Sequence, residues 1–134
     1  MKNNPRITAK ERGLIKGAIR RAFARSDLHR QVVDASRIDH SDPNKPRVKK
    51  WSRCNVCKSP VPTYLVCIDH IEPIIAVDSS FEDQGADITI DRTWCIVEKL
   101  QAICPACHDV KSSIEREHRK KNKKAKKDLQ VKKK

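Results

Sequence analysis

The feature that most constrains the fold of this chain is a pair of Cys-x-x-Cys motifs, at residues 54–57 and 104–107, that lie far apart in the sequence. The chain has 134 residues, of which 4% are aromatic and 35% are charged, so its apolar core must be small. Small cores commonly need a staple, and a structural metal is one of the usual ones. Four thiolates suit a closed, tetrahedral Zn²⁺ site. The motifs therefore predict a structural zinc site with the ligands Cys54, Cys57, Cys104 and Cys107.

The second motif also predicts the start of a helix. Pro105 suits the first turn, because its missing N–H would have no partner there. His108 directly follows Cys107, and adjacent helical residues point about 100° apart. We therefore expect His108 to lie outside the zinc site and to be free for another role. Lys111, three residues further on, shares the helix face of His108.

Three other kinds of site contain a Cys-x-x-Cys motif. A c-type haem attachment adds a histidine after the second cysteine, but it needs an exported chain, and residues 1–5 begin no secretory signal. A redox pair would leave the first motif unexplained. A zinc deaminase would combine His70 and Glu72 with one motif, but in its signature a proline precedes the first cysteine, whereas Pro105 follows it. The four-cysteine zinc site uses both motifs and leaves His70 and His108 for function.

The charge of the chain favours a polyanionic partner. The formal net charge is +13, and nucleic acid is the leading candidate. A membrane partner is not expected, because no apolar run is long enough to span a bilayer and no amphipathic stretch with aromatic anchors adjoins the basic runs. We expect an intracellular protein with reduced thiols, which favours a metal over disulfides. Cys67 and Cys95 are then small core residues.

The N-terminal part, residues 1–46, is predicted to be a helical, basic extension. Thr8 and Glu11 form a capping box that starts the first helix, and Ser26 caps a second helix. The first helix has an apolar stripe that is expected to pack on the rest of the protein: Leu14, Ile15, Ala18, Ile19, Ala22 and Phe23. Its opposite face contributes candidate phosphate contacts: Arg20, Arg21 and Arg25.

The remaining chain is predicted to form a zinc-stapled core, residues 47–118, and a disordered lysine-rich tail, residues 119–134. Residues 64–68 favour a buried strand that ends at Asp69 and His70, and residues 100–103 favour a second strand before the Pro105 helix. The fold class is therefore α+β. Like charges in the tail repel, so it adds affinity for nucleic acid without order of its own, and its candidate contacts are Lys120, Lys121, Lys123 and Lys124.

The motifs together resemble one family. The segments that carry the resemblance are the two cysteine pairs, Asp69-His70-Ile71-Glu72-Pro73, Leu100-Gln101-Ala102-Ile103, His108 and Lys111. This pattern, over roughly residues 51–117, resembles the zinc-containing HNH endonucleases, particularly small phage members. The resemblance implies a ββα-metal (His-Me) finger with a divalent ion besides the structural zinc. It implies that His70 is the general base and that Asp69 and His108 hold a catalytic Mg²⁺ or Mn²⁺.

The chemistry of phosphodiester hydrolysis agrees with these roles. The reaction needs a base for the attacking water and a cation for the developing charge. Lys111 can add a charge contact to a neighbouring phosphate. Lys99 stands where the family commonly has an asparagine, and lysine cannot accept a hydrogen bond, so another acceptor, such as a backbone carbonyl, must orient His70.

The expected function is therefore metal-dependent cleavage of DNA, and the alternative is a zinc-stapled nucleic-acid-binding module without catalysis. Asp69, His70 and His108 separate the two, because a pure binding module does not require them. The resemblance to phage members implies the cytoplasm of a bacterial host, with phage replication, recombination or packaging proteins as partners.

Overall fold

The structure, a computed structural model, describes residue 4 and residues 6–132. Within these residues the chain forms α-helices and short antiparallel β-strands, which confirms the expected mixture of helix and sheet. The helices are α1 (Ala9–Ala24), α2 (Asp27–Ala35), α3 (Phe81–Gln84), α4 (Ala86–Thr93) and α5 (Pro105–Lys132). The strands are β1 (Arg37–Ile38), β2 (Trp51–Arg53), β3 (Pro60–Pro62), β4 (Cys67–His70) and β5 (Leu100–Ile103).

The first two helices begin where their caps predict. The Glu11 N–H donates to Thr8 Oγ1 at 3.2 Å and the Thr8 N–H donates to Glu11 Oε2 at 2.7 Å, which completes the capping box. The expectation that the whole apolar stripe of α1 packs is wrong. Phe23 is 6% exposed, but Leu14 is 59% exposed, because α1 turns Phe23 and the half-buried Lys16 towards the body.

The strands form two small sheets. One has the order β1-β2-β3, and the first cysteine motif lies in the turn between β2 and β3. The other pairs β4 with β5, so that Asp69 faces Gln101 and His70 faces Leu100. The strand predicted at residues 64–68 starts later than expected, because Thr63–Leu65 form a 3₁₀ turn and β4 begins at Cys67.

The core of the protein joins the N-terminal extension to the zinc-stapled segment. Phe23 of α1 and Val32 of α2 pack with Leu100 and Ala102 of β5. In addition, β1 pairs with β2 in the first sheet. Residues 1–46 therefore contribute to the same core as residues 47–118.

Helix α5 extends much further than expected. Residues 119–132, predicted as a disordered tail, continue the helix in the structure, whereas Lys133 and Lys134 lie outside the described residues. No glycine or proline follows Pro105, and lysine, alanine and glutamate are good helix formers, so nothing in the sequence ends the helix. None of the helices in the described part of the chain is long and apolar enough to cross a membrane.

Candidate metal centre and cleft

The two cysteine motifs meet in space. The sulfur atoms of Cys54, Cys57, Cys104 and Cys107 all lie within 4.8 Å of one another. A tetrahedral ion with Zn–S bonds of about 2.3 Å separates its sulfur ligands by about 3.8 Å. The distance between Cys57 Sγ and Cys104 Sγ is 3.8 Å. The donor set and its spacing therefore fit a structural Zn²⁺ ion, which four cysteines can hold.

Backbone hydrogen bonds fix the turn that contains the first cysteine motif. The Cys54 N–H donates to the Ser59 carbonyl and the Lys58 N–H donates to the Cys54 carbonyl, both at 3.0 Å. Lys58 takes a positive φ of 63° to close this tight turn. The Asn55 N–H, inside the motif, donates to the Ala102 carbonyl of β5 at 2.9 Å. The turn is thereby attached to the strand that leads into α5.

The electrostatics of the sulfur atoms favour a cation among them. Burial raises the pKa of Cys54, but backbone hydrogen bonds from Cys104, Cys57 and Val56 outweigh it and lower the pKa to about 6. The pKa of Cys107 is raised to about 12, first by its hydrogen bond with Cys104 and then by burial. Thiolate formation is therefore favoured at Cys54 and disfavoured at Cys107 unless a positive charge lies nearby. A divalent cation supplies that charge.

A cleft of about 930 Å³ lies beside this centre. Its walls are α1, the end of β4, the segment of residues 73–82 and the first half of α5. The cleft brings together several residues that the sequence singles out: Asp69, His70, His108, Lys111 and Arg20.

His70 is oriented by a backbone carbonyl. Its Nε2 lies 2.8 Å from the Thr93 oxygen at the end of α4. A carbonyl oxygen only accepts hydrogen bonds, so Nε2 carries the proton, and in the neutral ring Nδ1 keeps its lone pair. The ring also packs against Phe23, with 5.0 Å between the ring centroids. The structure thus supplies an acceptor for His70 without an asparagine at Lys99.

Both carboxylate oxygens of Asp69 already have hydrogen-bond donors. Gln101 Nε2 donates to Asp69 Oδ2 at 2.9 Å, and Lys111 Nζ lies 3.2 Å from Oδ1 and 3.1 Å from Oδ2. Lys111 Nζ also donates to Glu115 Oε1 and to the His70 carbonyl, both at 2.8 Å. Burial lowers the pKa of Lys111, but its hydrogen bonds and charge contacts with Glu115 and Asp69 outweigh burial, so that the pKa is raised above its ordinary value. In this structure the Lys111 ammonium lies in an internal ion cluster with Asp69 and Glu115, and its phosphate contact stays a prediction.

His108 is half-buried on α5, where its N–H donates to the Cys104 carbonyl at 3.0 Å. Its position on the cleft agrees with a role separate from the zinc ligands. In the described part of the chain, the four cysteines form the one group of three or more histidine, cysteine or acidic residues with converging donor atoms. Among the described residues, no comparable group of ligand atoms converges where the catalytic ion was expected, between Asp69 and His108.

The candidate phosphate contacts divide into two groups. Arg20 lines the cleft, with Lys16 and Arg116. The others are exposed but do not line it: Arg21, Arg25, Lys120, Lys121, Lys123 and Lys124. The lysines lie on α5, which is held to the body by Arg119, Asn122 and Lys126.

These three side chains attach α5 to the loop of residues 75–79. Arg119 donates to the carbonyls of Ile75, Ala76 and Ser79. Asn122 Nδ2 donates to the Val77 carbonyl at 3.2 Å, and Lys126 Nζ donates to the Asp78 carbonyl at 2.6 Å. Lys126 therefore helps to attach α5 to the loop, although its position in a run of lysines gives no sign of this contact.

Two side chains of the site were missed by the sequence analysis, Gln101 and Glu115. A backbone carbonyl that orients His70 was expected, but not that Thr93 provides it. Glu115 follows Lys111 by four residues and His108 by seven, so helical spacing alone could have found it. Gln101 is found only when the register of β4 and β5 is known, and the Thr93 carbonyl only from the tertiary fold.

Comparisons of the chain with protein-family models, curated proteins and solved structures found no match in any of the three.

Proposed function

We propose that the protein is a metal-dependent HNH-type endonuclease that hydrolyses phosphodiester bonds of DNA. The observation that carries the proposal is the meeting of Asp69, His70 and His108 at one cleft, with His70 held by the Thr93 carbonyl. A structural zinc site alone would not need these three side chains in a shared cavity. The motif pattern of the sequence suggests the HNH family for this proposal, and the position of the three side chains in the cleft supports the proposal.

The arrangement of β4, β5 and α5 supports the ββα-metal finger in particular. The two strands are antiparallel, and α5 begins directly after β5. Asp69 and His70 end β4, and His108 lies one turn into α5. In this proposal the finger is the catalytic unit, and the zinc centre fixes the junction of β5 and α5.

In the proposed reaction His70 acts through Nδ1. Because Nε2 donates to the Thr93 carbonyl, Nδ1 accepts the proton of a water molecule as its oxygen attacks phosphorus. The bond from phosphorus to the 3′ oxygen then breaks. Phe23 packs against the imidazole and limits its rotation. The ring therefore keeps the orientation that the proton transfer needs.

Asp69 and His108 would hold Mg²⁺ or Mn²⁺. An ion bound there supplies positive charge to the phosphate and to the leaving oxygen. The chain already gathers oxygen atoms of Asp69, Glu115 and the His70 carbonyl around one cation, the Lys111 ammonium. This clustering of oxygen atoms supports a cation position at Asp69.

DNA is the proposed substrate because positive side chains line the cleft beside these groups. Lys16 and Arg20 approach it from α1, and Arg116 approaches it from α5. With a net charge of +13, the protein as a whole attracts a polyanion.

One observation favours the second candidate, a nucleic-acid-binding module without catalysis. The Lys111 ammonium pairs with Asp69, whose side chain is only 11% exposed. If this pair persists when DNA binds, Asp69 has no free oxygen for a divalent ion. In the second candidate the zinc centre and the basic cleft bind nucleic acid, but the protein does not hydrolyse it.

Nicking of supercoiled plasmid across a Mg²⁺ and Mn²⁺ titration separates the two candidates. We expect His70→Ala to reduce the rate by about 10²- to 10⁴-fold, the usual contribution of a general base, with zinc content and DNA affinity unchanged. His108→Ala is expected to reduce it as well, with partial recovery at high Mn²⁺. His118→Ala is the matched control, because His118 is exposed on the same helix. Wild-type protein that never cuts, or His70→Ala protein that cuts at the wild-type rate, would leave only the binding module.

A further inference from the structure

The turn that carries the first two zinc ligands is connected to Asp69 by side-chain hydrogen bonds. Asn55 lies between Cys54 and Cys57, and its Nδ2 donates to Gln101 Oε1 at 2.9 Å. Gln101 Nε2 in turn donates to Asp69 Oδ2 at 2.9 Å. Two amide side chains thus link residues that are far apart in the sequence.

The direction of these hydrogen bonds is fixed by the charges at the two ends. An ionised Asp69 only accepts, so Gln101 must present its NH₂ group to it. The Gln101 carbonyl oxygen then faces Asn55, which must present its own NH₂ group. The side-chain oxygen of Asn55, Oδ1, then faces Lys58 Nζ at 3.5 Å, and an ammonium only donates hydrogen bonds. Every donor in the series therefore points towards Asp69.

The backbone holds the two ends of the series in place. Asp69 and Gln101 are directly opposite in the pairing of β4 with β5. The Asn55 N–H donates to the carbonyl of Ala102, the residue after Gln101. Hydrogen bonds arranged head to tail polarise one another, so a change at one end is felt at the other.

We propose that Asn55 is a positioning residue, which sets the orientation of the Asp69 carboxylate through Gln101. The zinc turn then does more than clamp α5, because it also fixes how the Asp69 carboxylate is presented to the cation beside it. The consequence for catalysis rests on the proposed function, whereas the orientation of Asp69 does not.

Asn55→Asp is a sharp test, because it replaces one NH₂ group by an oxygen of nearly the same size. The carboxylate at position 55 cannot donate to Gln101 Oε1, so the Gln101 amide is expected to turn and to donate to position 55 instead. Its oxygen would then face Asp69 Oδ2, and Asp69 would lose a donor. Val56→Ala is the matched control, because Val56 lies in the same turn and is 57% exposed.

The first readout is the NMR spectrum of the full-length, zinc-loaded protein. We expect Asn55→Asp to shift the side-chain amide signals of Gln101 and the carboxyl ¹³C signal of Asp69, and Val56→Ala to leave both in place. Zinc content should stay at the wild-type value in both variants. Unchanged Gln101 and Asp69 signals in the Asn55→Asp protein would overturn the proposal.

The second readout is the affinity for Mn²⁺, measured by calorimetry without DNA. Loss of a partner that holds a metal ligand commonly weakens metal binding by 10- to 100-fold, and we expect about 10-fold for the exposed Asn55. If the signals shift but Mn²⁺ affinity and plasmid nicking stay at wild-type values, the orientation that Asn55 sets is supported, its consequence for metal binding is overturned, and the nuclease function stands. Wild-type protein that neither binds Mn²⁺ nor nicks DNA would remove the nuclease function, and the NMR comparison would still decide the role of Asn55.

Discussion

At the level of single residues, the four cysteines differ in their surroundings although they share one centre. Cys54 is fully buried and receives backbone hydrogen bonds, whereas Cys57 is exposed. The pKa of Cys57 is lowered mainly by hydrogen bonds with the side chain and backbone of Ser59. Both cysteines of the first motif are thus favoured as thiolates, which are the form that binds a metal ion.

Removing one buried ligand tests this centre. We expect Cys54→Ser to lower zinc content and thermal stability together, because zinc binding contributes directly to folding in small domains. A loss of 1 kcal/mol lowers the Tm of a domain of 60 to 250 residues by roughly 2–8 °C, and losing a structural zinc ligand costs several times that energy, so we expect a fall of more than about 5 °C. Zinc per chain from elemental analysis and the Tm from calorimetry check the result.

Cys67→Ser is the matched control for this change. Cys67 lies outside the sulfur cluster, so the same exchange of sulfur for oxygen there removes no zinc ligand. The control should retain the wild-type zinc content. Folded wild-type protein without zinc, or Cys54→Ser protein with a full complement, would contradict the site.

At the level of elements, α5 has two faces with different roles. One face runs along the body and bears His108, Lys111, Glu115 and the side chains that hold the loop of residues 75–79. Because adjacent helical residues point about 100° apart, Lys120, Lys121 and Lys124 lie on the side away from Asn122. The two faces can therefore be changed separately.

Removing the charge of the outward face should weaken DNA binding without loosening the helix. We expect the combined change of Lys120, Lys121 and Lys124 to glutamine to lower the slope of log affinity against log salt by up to about 2.7, since each phosphate contact on duplex DNA contributes roughly 0.9. Binding measured over a series of salt concentrations checks this. Asn122→Ala is the control on the inward face, and it should leave the slope unchanged. An unchanged slope in the triple variant would show that these lysines contact only solvent.

The elements that the sequence predicts well are those with local signals. Thr8, Ser26 and Pro105 mark helix starts through contacts within one turn, and the structure begins α1, α2 and α5 at these positions. The pairing of Lys111 with Asp69, the opposition of Asp69 and Gln101, and the burial of only part of the α1 stripe depend on contacts between distant segments. Periodicity carries no information on such contacts, so these features were missed.

At the level of the whole molecule, the extension and the zinc-stapled segment depend on one core. Phe23 and Val32 are each 6% exposed and pack on β5, which leads directly to the second cysteine motif. Phe23 also contacts the ring of His70. The N-terminal helices therefore stabilise both the fold and the candidate site.

A chain shortened to residues 47–134 is expected to lose its cooperative fold even with zinc present. Burying Phe23 and Val32 contributes roughly 3–6 kcal/mol, at 1.5–3 kcal/mol for each side chain, against a total stability of about 5–15 kcal/mol for a typical domain. The loss of β1 also exposes an edge of β2. Circular dichroism during heating checks the result, with the full chain as the reference. A shortened chain that unfolds with the same Tm as the full chain would show that the two segments are independent.

The length of α5 also determines how the molecule moves in solution. Its 28 residues span about 42 Å at 1.5 Å per residue. A compact chain of this size has a radius of gyration of about 14 Å, equivalent to a sphere about 36 Å across. The end of the helix, with Leu129 and Val131 exposed, therefore projects beyond the body. A monomer of this shape experiences more drag than a sphere of equal mass and elutes somewhat earlier from a gel-filtration column than its mass predicts, so light scattering is the appropriate measure of its mass.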